Sequence, residues 1–393
     1  MNLRAPIIVI FTTVLVDLIG FGIVIPLINL YGEHLGATGW ELALLGGIYS
    51  FMQFLFAPLW GALSDRIGRR PVLLISLAGS TLSYLAFGLA DSKWLLIGSR
   101  AMAGICAANI SAAQAYIADI TPPEKRAQGM GMIGAAFGLG FTLGPPLGGI
   151  AAKYLGLSAP GFIAAAICGA NLILAYWRLP ESLPVERRQR GRPVSYSPIN
   201  AHGMRQVFQS PILILLVPTF FLITFAFSNF EQTFTLLIQD RFGHDTAEAG
   251  FRGGMALLWL GIVGVIVQGG LIRRLVPRYG ERRLMLVGAS LFSGTMLVFP
   301  FIPEYWMYFP VGVLMACGLG ILNPSLTGLI SKNASEYNQG AVLGFNQGMG
   351  SLARTIGPIV ALMTFQYHPA LPYIIGGLVA GGCLLLLQRV PIK

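Results

Sequence analysis

The stretch G61-A-L-S-D-R-I-G-R-R-P-V-L-L74 joins two long apolar segments through a compact polar turn. Gly61 has no side chain, so it allows two backbones to approach closely, and Gly68 can adopt the positive φ that a tight reversal needs. Asp65 and Arg69 are spaced to face each other across the turn. The stretch, called the signature turn below, therefore predicts a tight connection between two helices that carries a charge pair.

The composition around this turn is that of a membrane protein. The chain has 393 residues, of which 55% are hydrophobic and 11% are charged, and its mean hydropathy is +0.70. In soluble globular domains about a quarter of the residues are charged. Apolar runs of about 20 residues recur along the whole chain, and each can cross a hydrocarbon core about 30 Å thick. We therefore expect an all-α protein that crosses the membrane many times.

Twelve spanning helices are predicted from these runs, in two groups of six. A linker over 179–210, rich in arginine, proline and serine, separates an N-terminal bundle over 1–178 from a C-terminal bundle over 211–393. The predicted spans are 7–31, 41–63, 72–90, 94–118, 127–152, 158–178, 211–239, 247–272, 284–301, 305–330, 338–365 and 370–389.

The basic residues indicate the orientation. The net charge is +10, but the arginines lie in the connections between spans rather than in one patch, which argues against nucleic-acid binding. With both termini inside, the cytoplasmic segments hold 20 of the 26 Lys and Arg residues, the external loops hold four and the spans hold two. The excess of positive charge inside predicts that both termini are cytoplasmic.

The two halves repeat at an offset of about 211–214 residues, which is a sign of internal duplication. The copies differ in the signature turn, because Asp65 aligns with Pro277 and the second turn lacks that acid. The aligned elements are Arg66-Ile-Gly-Arg-Arg with Arg278-Tyr-Gly-Glu-Arg, Asn109 with Asn323, Gln128-Gly129 with Gln339-Gly340, and Gly144-Pro145 with Gly357-Pro358.

The signature turn resembles the G-x-L-x-D-R-x-G-R-R-P motif between helices 2 and 3 of the major facilitator superfamily. The resemblance covers nearly the whole chain. It implies two parallel six-helix pseudo-repeats with a transport site near the membrane midplane, as in other members of this fold. In that family an acid at the end of helix 4, here Asp119, meets the arginines of the turn. Asp65, Arg69, Arg70 and Asp119 are therefore predicted to form one charge network with a gating role.

Three ionisable residues inside the spans are candidates for proton coupling. Asp17 lies in the first span on a mostly apolar face, and Glu231 lies in the seventh span on a face shared with Ser228 and Thr235. Intramembrane acids are costly and are functional candidates by default, although each could instead be a structural acid that pairs or hydrogen-bonds with a neighbour. Arg100 matches the helix-4 arginine of the family, which implies assistance to proton transfer; a structural ion pair is the alternative.

Polar side chains at helical spacing predict a substrate cavity. Arg354 is interpreted either as an anchor for a substrate anion or as a stabiliser of helix packing, and the aromatic residues near Glu231 are either packing residues or part of an apolar cavity. The predicted cavity residues are Gln53, Ser111, Gln114, Ser228, Gln232, Thr235, Gln347 and Arg354.

The fifth span contains glycines at intervals of four residues, which permits close helix packing. Its sequence resembles the antiporter motif G-x-x-x-G-P-x-x-G-G, which is associated with exporters rather than importers. Pro145 is expected to bend this helix. The residues assigned to packing are Gly134, Gly138, Gly140, Gly144, Pro145 and Gly148.

Within the superfamily, the first half most resembles the tetracycline exporters among the twelve-helix drug:proton antiporters. The similar segments are Q53-F-L-F-A-P-L-W-G-A-L-S-D-R66, R69-R-P-V-L-L-I-S-L-A-G79 and F137-G-L-G-F-T-L-G-P145. Those exporters carry an acid on helix 3 where this chain has Ser83. The departure argues against tetracycline carried as a metal chelate and leaves proton-coupled export of another compound as the expectation.

The sequence therefore predicts a secondary active transporter that exchanges protons for small amphipathic compounds, working as a monomer in the plasma membrane, with the bacterial inner membrane expected. The alternatives are a proton symporter or facilitator that takes up a nutrient, and a lipid flippase or non-transporting sensor. Neither a catalytic constellation nor metal-ligand spacing among the four cysteines is visible, so we expect no enzyme activity, no cofactor and no metal.

Overall fold

The structure is a computed structural model, and every regular element in its described part is a helix. The described residues are 4–24, 27–37, 40–188, 201–242, 246–335 and 338–390.

Sixteen α-helices form the described part of the chain. They are α1 (Arg4–Val24), α2 (Ile28–His34), α3 (Trp40–Ile67), α4 (Arg69–Gly88), α5 (Lys93–Cys106), α6 (Ile110–Ile120), α7 (Arg126–Leu155), α8 (Ala159–Arg178), α9 (Ala201–Gln209), α10 (Leu213–Phe242), α11 (Thr246–Ile266), α12 (Ile272–Tyr279), α13 (Glu281–Val298), α14 (Tyr308–Asn333), α15 (Gln339–Tyr367) and α16 (Leu371–Gln388).

Each predicted span corresponds to one helix or to two consecutive helices. Ten stretches of the described residues are long and apolar enough to cross a bilayer, and α1 adds a shorter apolar segment over Ile8–Val24. The remaining span, α15, is a continuous helix that is less apolar, because it carries polar side chains at Asn346, Gln347, Ser351 and Arg354. The apolar runs therefore located the helices, and the boundaries differ by a few residues.

Two predicted spans are interrupted by turns of different helical geometry. The fourth changes to a 3₁₀ turn at Ala107–Asn109, where Gln53 Nε2 donates to Ala107 O at 3.2 Å and Ser76 Oγ donates to Cys106 O at 2.7 Å. These side chains satisfy carbonyls at the interruption. The eighth contains a π-helical turn at Val267–Leu271 before it continues as α12.

The predicted linker contains a helix that the sequence pattern did not indicate. Helix α9 lies inside 179–210, and its Val207 is buried while Arg205 and Phe208 are exposed. Arg190 and Arg192 of the linker lie outside the described residues.

The signature turn has the predicted backbone geometry. Gly68 has φ 107°, and its counterpart in the second half, Gly280, has φ 75°. Both values lie in the region that glycine adopts without strain. Gly61 allows the expected close approach, since a Cβ added there would lie 3.1 Å from Gly344 Cα of α15.

By contacts, the chain forms two compact units, whose boundaries fall inside α7 and α15. Unit 1 comprises Met1–Pro123, Ala136–Gln206 and Ala334–Ser351, and unit 2 comprises Glu124–Ala135, Val207–Asn333 and Leu352–Lys393. The division of the sequence into bundles over 1–178 and 211–393 stays a prediction.

Each unit has its own core. In unit 1, aliphatic residues such as Ile23 and Leu45 pack with Phe87. Unit 2 has an aromatic cluster around Phe230. Its ring centre lies 4.9 Å from that of Phe234, and its ring packs edge to face with Phe299 and with Tyr373. Phe230 is fully buried in that cluster, so its ring is a packing residue rather than part of an open cavity.

Candidate functional site

Asp17 lies at the centre of a buried polar cluster in unit 1. The residue is 5% exposed, and its Oδ2 accepts a hydrogen bond from Asn109 Nδ2 at 2.9 Å. Asn109 Nδ2 also donates to Ser76 Oγ, which in turn donates to Cys106 O at 2.7 Å. Within the described residues, Asp17 Oδ1 has no partner. One carboxylate oxygen of Asp17 is therefore bonded to a neutral amide, and the other accepts no hydrogen bond from a described residue.

Arg100 is fully enclosed in the same unit. It is 1% exposed, and its guanidinium lies 4.8 Å from the ring centre of Tyr49 and 5.7 Å from that of Phe21. No carboxylate among the described residues forms an ion pair with it, and its Nε and Nη1 atoms lack hydrogen-bond acceptors there. Aromatic faces attract a cation without neutralising it. An ion pair with a described carboxylate, the alternative interpretation of Arg100, is therefore not present.

The predicted cavity residues of unit 1 are mostly bonded inside the protein. Ser351 Oγ donates to Gln53 Oε1 at 2.8 Å, and Gln53 also donates to Ala107 O, so this pair joins α15 to α3 and the 3₁₀ turn. Ser111 is fully buried, and its one hydroxyl hydrogen is shared between Ala57 O and Ala108 O, each 3.3 Å from Oγ. Gln114 is 5% exposed, and its Oε1 has no partner in the described part. Gln114 therefore offers an unbonded acceptor, its Oε1, within the described part.

In unit 2, α10 carries Glu231 and Gln232, both exposed. The predicted polar face is not uniformly open, because Ser228 is buried where Gly357 of α15 approaches it. A Cβ added at Gly357 would lie 2.7 Å from Ser228 Cβ. Thr235 is half-buried beside Gly253 of α11. The open part of this face is therefore centred on Glu231.

Arg354 and Glu231 interact electrostatically, and both belong to unit 2. Glu231 is therefore a charged partner of Arg354 that neither interpretation of this arginine included. Gln347, on the part of α15 that belongs to unit 1, is buried with 5% exposure.

Three of the four predicted gating residues meet around the signature turn. Arg69 Nη1 donates to Asp65 Oδ1 at 2.5 Å, and Arg69 Nε donates to Asp119 Oδ2 at 3.0 Å. Asp65 also accepts from the backbone N–H groups of Gly340 at 3.0 Å and Ala341 at 2.8 Å. Those N–H groups open α15, where free donors and the helix dipole favour an anion. Asp65 therefore joins the turn to the start of α15.

Arg70, the fourth predicted member, points elsewhere, and Glu181 belongs to the network instead. Arg70 Nη2 donates to Tyr176 O at 2.7 Å, and its guanidinium lies over that ring. Glu181 Oε1 accepts from Arg69 N at 2.9 Å, and Ser182 Oγ donates to Asp119 Oδ2 at 3.0 Å. The sequence signal for Glu181 was weak, since it is one acid in the polar stretch after α8.

The second half repeats the Arg70 contact. Arg282 corresponds to Arg70 in the internal repeat, and its Nη2 donates to Gln388 O at 2.6 Å. Gln388 lies at the end of α16, as Tyr176 lies at the end of α8. The same arginine contact therefore fastens the start of α13 and the start of α4 to the last helix of each half.

The second half also contains an ion pair of opposite polarity. Glu281 occupies the position of Arg69 in the repeat, and it is bound by Lys332 at the end of α14. Lys332 corresponds, within the range of repeat offsets, to Asp119 at the end of α6. The base on the turn and the acid on the following helix have thus exchanged places. The internal repeat in the sequence showed that Pro277 replaces the acid of the turn, but it did not indicate this ion pair.

The glycines of α7 allow it to pack backbone to backbone against α1. A Cβ added at Gly140 would lie 2.5 Å from Leu18 Cβ, and one added at Gly144 would lie 2.6 Å from Gly22 Cα. Gly148 faces the α1 backbone in the same way. Real Cβ atoms do not approach other atoms so closely, so these positions require glycine.

The other residues assigned to packing lie around this contact. Gly134 faces the side chain of Gln268 in the π-helical turn of unit 2. Pro145 contacts the Gly22 position of α1. Gly138 is half-buried in α7, which runs unbroken over Arg126–Leu155. No group of three or more His, Cys, Asp and Glu side chains that could hold a metal occurs in the described part.

The helical fold, the apolar spans and the buried polar clusters define a multi-pass membrane transporter. The family model of the Major Facilitator Superfamily matches residues 10–358 and 269–392. The chain belongs to this superfamily, which confirms the predicted class, the twelve-helix fold and the expectation that the protein is not an enzyme.

Its curated relatives include two groups of transporters. The chain is 32% identical to the tetracycline resistance protein, class C, of Escherichia coli over 97% of this chain and 96% of that protein. It is 30% identical to major facilitator superfamily domain-containing protein 10 of Bos taurus over 91% of this chain and 86% of that protein. Among solved structures, the human organic anion transporter MFSD10 (TETRAN) aligns with a TM-score of 0.86 at 27% identity, covering 99% of this chain and 100% of that one.

Proposed function

We propose that this transporter is a proton-coupled antiporter that exports small amphipathic compounds by alternating access. The observation that carries the proposal is the state of Asp17, which is buried, bonded through one oxygen to the neutral amide of Asn109 and unpartnered at the other in the described part. A carboxyl held this way can take up a proton without breaking an ion pair. Intramembrane acids of this kind serve as proton relays.

Two further residues support the coupling role. Arg100 is a buried cation without a carboxylate partner in the described part. An anion that enters its surroundings would therefore be attracted by an uncompensated positive charge. Glu231 is exposed on α10 and interacts with Arg354, which makes it a second candidate for proton exchange. A proton and a substrate can shift the transporter toward opposite conformations if each binds a different conformation more tightly.

The cargo is better described as organic anions than as a metal chelate of tetracycline. Ser83 stands where the tetracycline exporters carry an acid, and it is buried and donates to Ser80 O at 2.8 Å. A cationic chelate would lack that carboxylate. The human relative MFSD10 is an organic anion transporter, and in this chain Arg100 and Arg354 supply positive charge within the spans.

Everted membrane vesicles with an imposed pH gradient test the coupling. We expect uptake of the fluorescent anion 8-anilinonaphthalene-1-sulfonate into everted vesicles to depend on an acidic interior, and Asp17→Asn to abolish that dependence. Asp91→Asn is the matched control, because Asp91 is an exposed acid. Gradient-driven flux that survives Asp17→Asn together with Glu231→Gln would refute these proton carriers. Flux along with protons rather than against them would identify a symporter instead.

Competition between probes tests the cargo. Unlabelled organic anions should inhibit the flux of the anionic dye, and tetracycline with Mg²⁺ should inhibit it weakly. Arg100→Gln should reduce anion flux more than the control Arg205→Gln, since Arg205 is an exposed arginine of α9. Stronger inhibition by the tetracycline chelate would favour that cargo. Movement of a labelled phospholipid without either probe would indicate a flippase.

We also propose a monomer in a bacterial inner membrane, and the basic residues between the spans support an orientation with both termini cytoplasmic. Labelling single cysteines introduced at Glu186 and at Asp91 with an impermeant maleimide in intact cells tests the orientation. The residue at 91 should react and the residue at 186 should be protected. The reverse pattern would overturn the assignment.

A further inference from the structure

The exposed face of α11 forms an apolar stripe that leads to arginines without a carboxylate partner in the described part. Met255, Trp259, Ile262 and Ile266 recur at intervals of four, three and four residues, and each is 40% exposed or more. This spacing places them on one side of the helix. Among the ten candidate spans, Arg252–Tyr279 contains the most apolar stretch, and that stretch is the least buried within the protein.

Glycine leaves a notch between the stripe and the arginines. After Ile266 the helix enters the π-helical turn, where Gly270 is exposed and a Cβ added to it would meet nothing within 4 Å. Arg274 and Arg278 follow at successive intervals of four residues, and both are exposed. The face therefore runs from apolar side chains through a gap to a pair of cations.

These cations have no counter-charge among the residues that the structure describes. Like charges at i and i+4 on a helix repel each other, so Arg274 and Arg278 destabilise α12 unless an anion joins them. No carboxylate among the described residues pairs with either one. The nearest acid in the sequence, Glu281, is already bound by Lys332. Arg273 and Arg283 are exposed nearby and add to the positive charge.

We propose that this face binds an anionic phospholipid. Its acyl chain lies along Met255, Trp259, Ile262 and Ile266, its glycerol region fits the notch at Gly270, and its phosphate lies against Arg274 and Arg278. The apolar stripe fits a hydrocarbon chain and the arginine pair fits a negative headgroup, a combination found in anionic lipids. Basic clusters at the ends of membrane helices attract anionic lipids by about 1 kcal/mol per residue.

Native mass spectrometry of the purified transporter tests the site with an equimolar mixture of phosphatidylglycerol and phosphatidylcholine. The wild type should retain phosphatidylglycerol preferentially. Arg274→Gln with Arg278→Gln should weaken its retention about 30-fold, which corresponds to two cations at the strength given above. Lys125→Gln with Arg205→Gln is the matched control, because it removes two exposed cations from elsewhere and should leave retention unchanged.

A second variant keeps the charges and fills the notch. Gly270→Phe should fold, since the position is open, and should reduce retention of phosphatidylglycerol with both arginines present. Equal retention of the two lipids by the wild type would overturn the proposal. So would an arginine double variant that behaves as the control does, or inorganic phosphate that stabilises the wild type as much as the lipid does while Gly270→Phe has no effect.

Discussion

Lys332 binds Glu281 in unit 2 with the charges in the reverse order from the pair formed by Arg69 and Asp119 in unit 1. The turns between α3 and α4 and between α12 and α13 share a glycine with positive φ, at Gly68 and Gly280. An ion pair links each turn to the end of a following helix. Duplication thus preserved the link while its polarity changed.

Reversing one member of this pair should destabilise the protein, and reversing both should restore it. Glu281→Lys brings two cations together in a partly buried place, so we expect a loss of about 2 kcal/mol of unfolding free energy. The double variant Glu281→Lys with Lys332→Glu should recover most of it. Thermal unfolding of the purified protein measures both. Glu186→Lys, a change at an exposed acid, is the control, and a double variant no better than the single one would contradict the pairing.

Removing the charge of Asp65 should cost more than removing that of Asp119. Asp65 accepts from Arg69 and from two N–H groups of α15, whereas the Asp119 side chain is 11% exposed and touches fewer donors. Breaking a buried pair from one side costs about 3–5 kcal/mol. Asp65→Asn should therefore lower the unfolding temperature more than Asp119→Asn does. The opposite order in thermal unfolding would show that the start of α15 does not depend on the acid.

A methyl group on the α1-facing side of α7 should be tolerated poorly. Gly144→Ala places a Cβ 2.6 Å from Gly22 Cα, so the two backbones must separate and we expect a loss of about 1–3 kcal/mol. Gly149→Ala in the same helix is the matched control, because its Cβ would meet nothing within 4 Å. Comparable unfolding temperatures for the two variants would refute the packing role of Gly144.

Arg100 should contribute to transport and not to stability. Its charge is buried without a carboxylate in the described part, so Arg100→Gln removes a cost and should leave the unfolding temperature equal or higher. Flux of the anionic dye should fall in the same preparation. Tyr49→Leu removes an aromatic face and should cost about 1 kcal/mol or more while Arg100 is present. An unfolding temperature that drops sharply in Arg100→Gln would indicate a structural role.

The sequence predicted most of the helices because long apolar runs mark segments that can cross a bilayer. Helix α9 lies in a polar stretch and gave no such signal. It could not predict the 3₁₀ turn at Ala107–Asn109, whose carbonyls are satisfied by Gln53 and by Ser76 in other helices. Such interruptions depend on contacts between distant parts of the chain, which a local pattern does not contain.

The candidate site shows the same limit. Asp17 was identified because a carboxyl inside a span is unusual, but its partner Asn109 lies 92 residues away and is an ordinary polar residue. The internal repeat aligned Asn109 with Asn323, which marked the position without giving its contact. For Arg70, the motif suggested an acid as partner, and the structure has the Tyr176 carbonyl.

The contact between α1 and α7 has a kinematic consequence. Gly140, Gly144 and Gly148 have no side chains, so the two backbones lie against each other at these positions. Within unit 1, α1 and the facing segment of α7 are therefore expected to move as one rigid pair. Asp17 lies on α1 one residue before Leu18, the neighbour of Gly140. The buried acid therefore lies on the helix whose backbone is packed directly against α7.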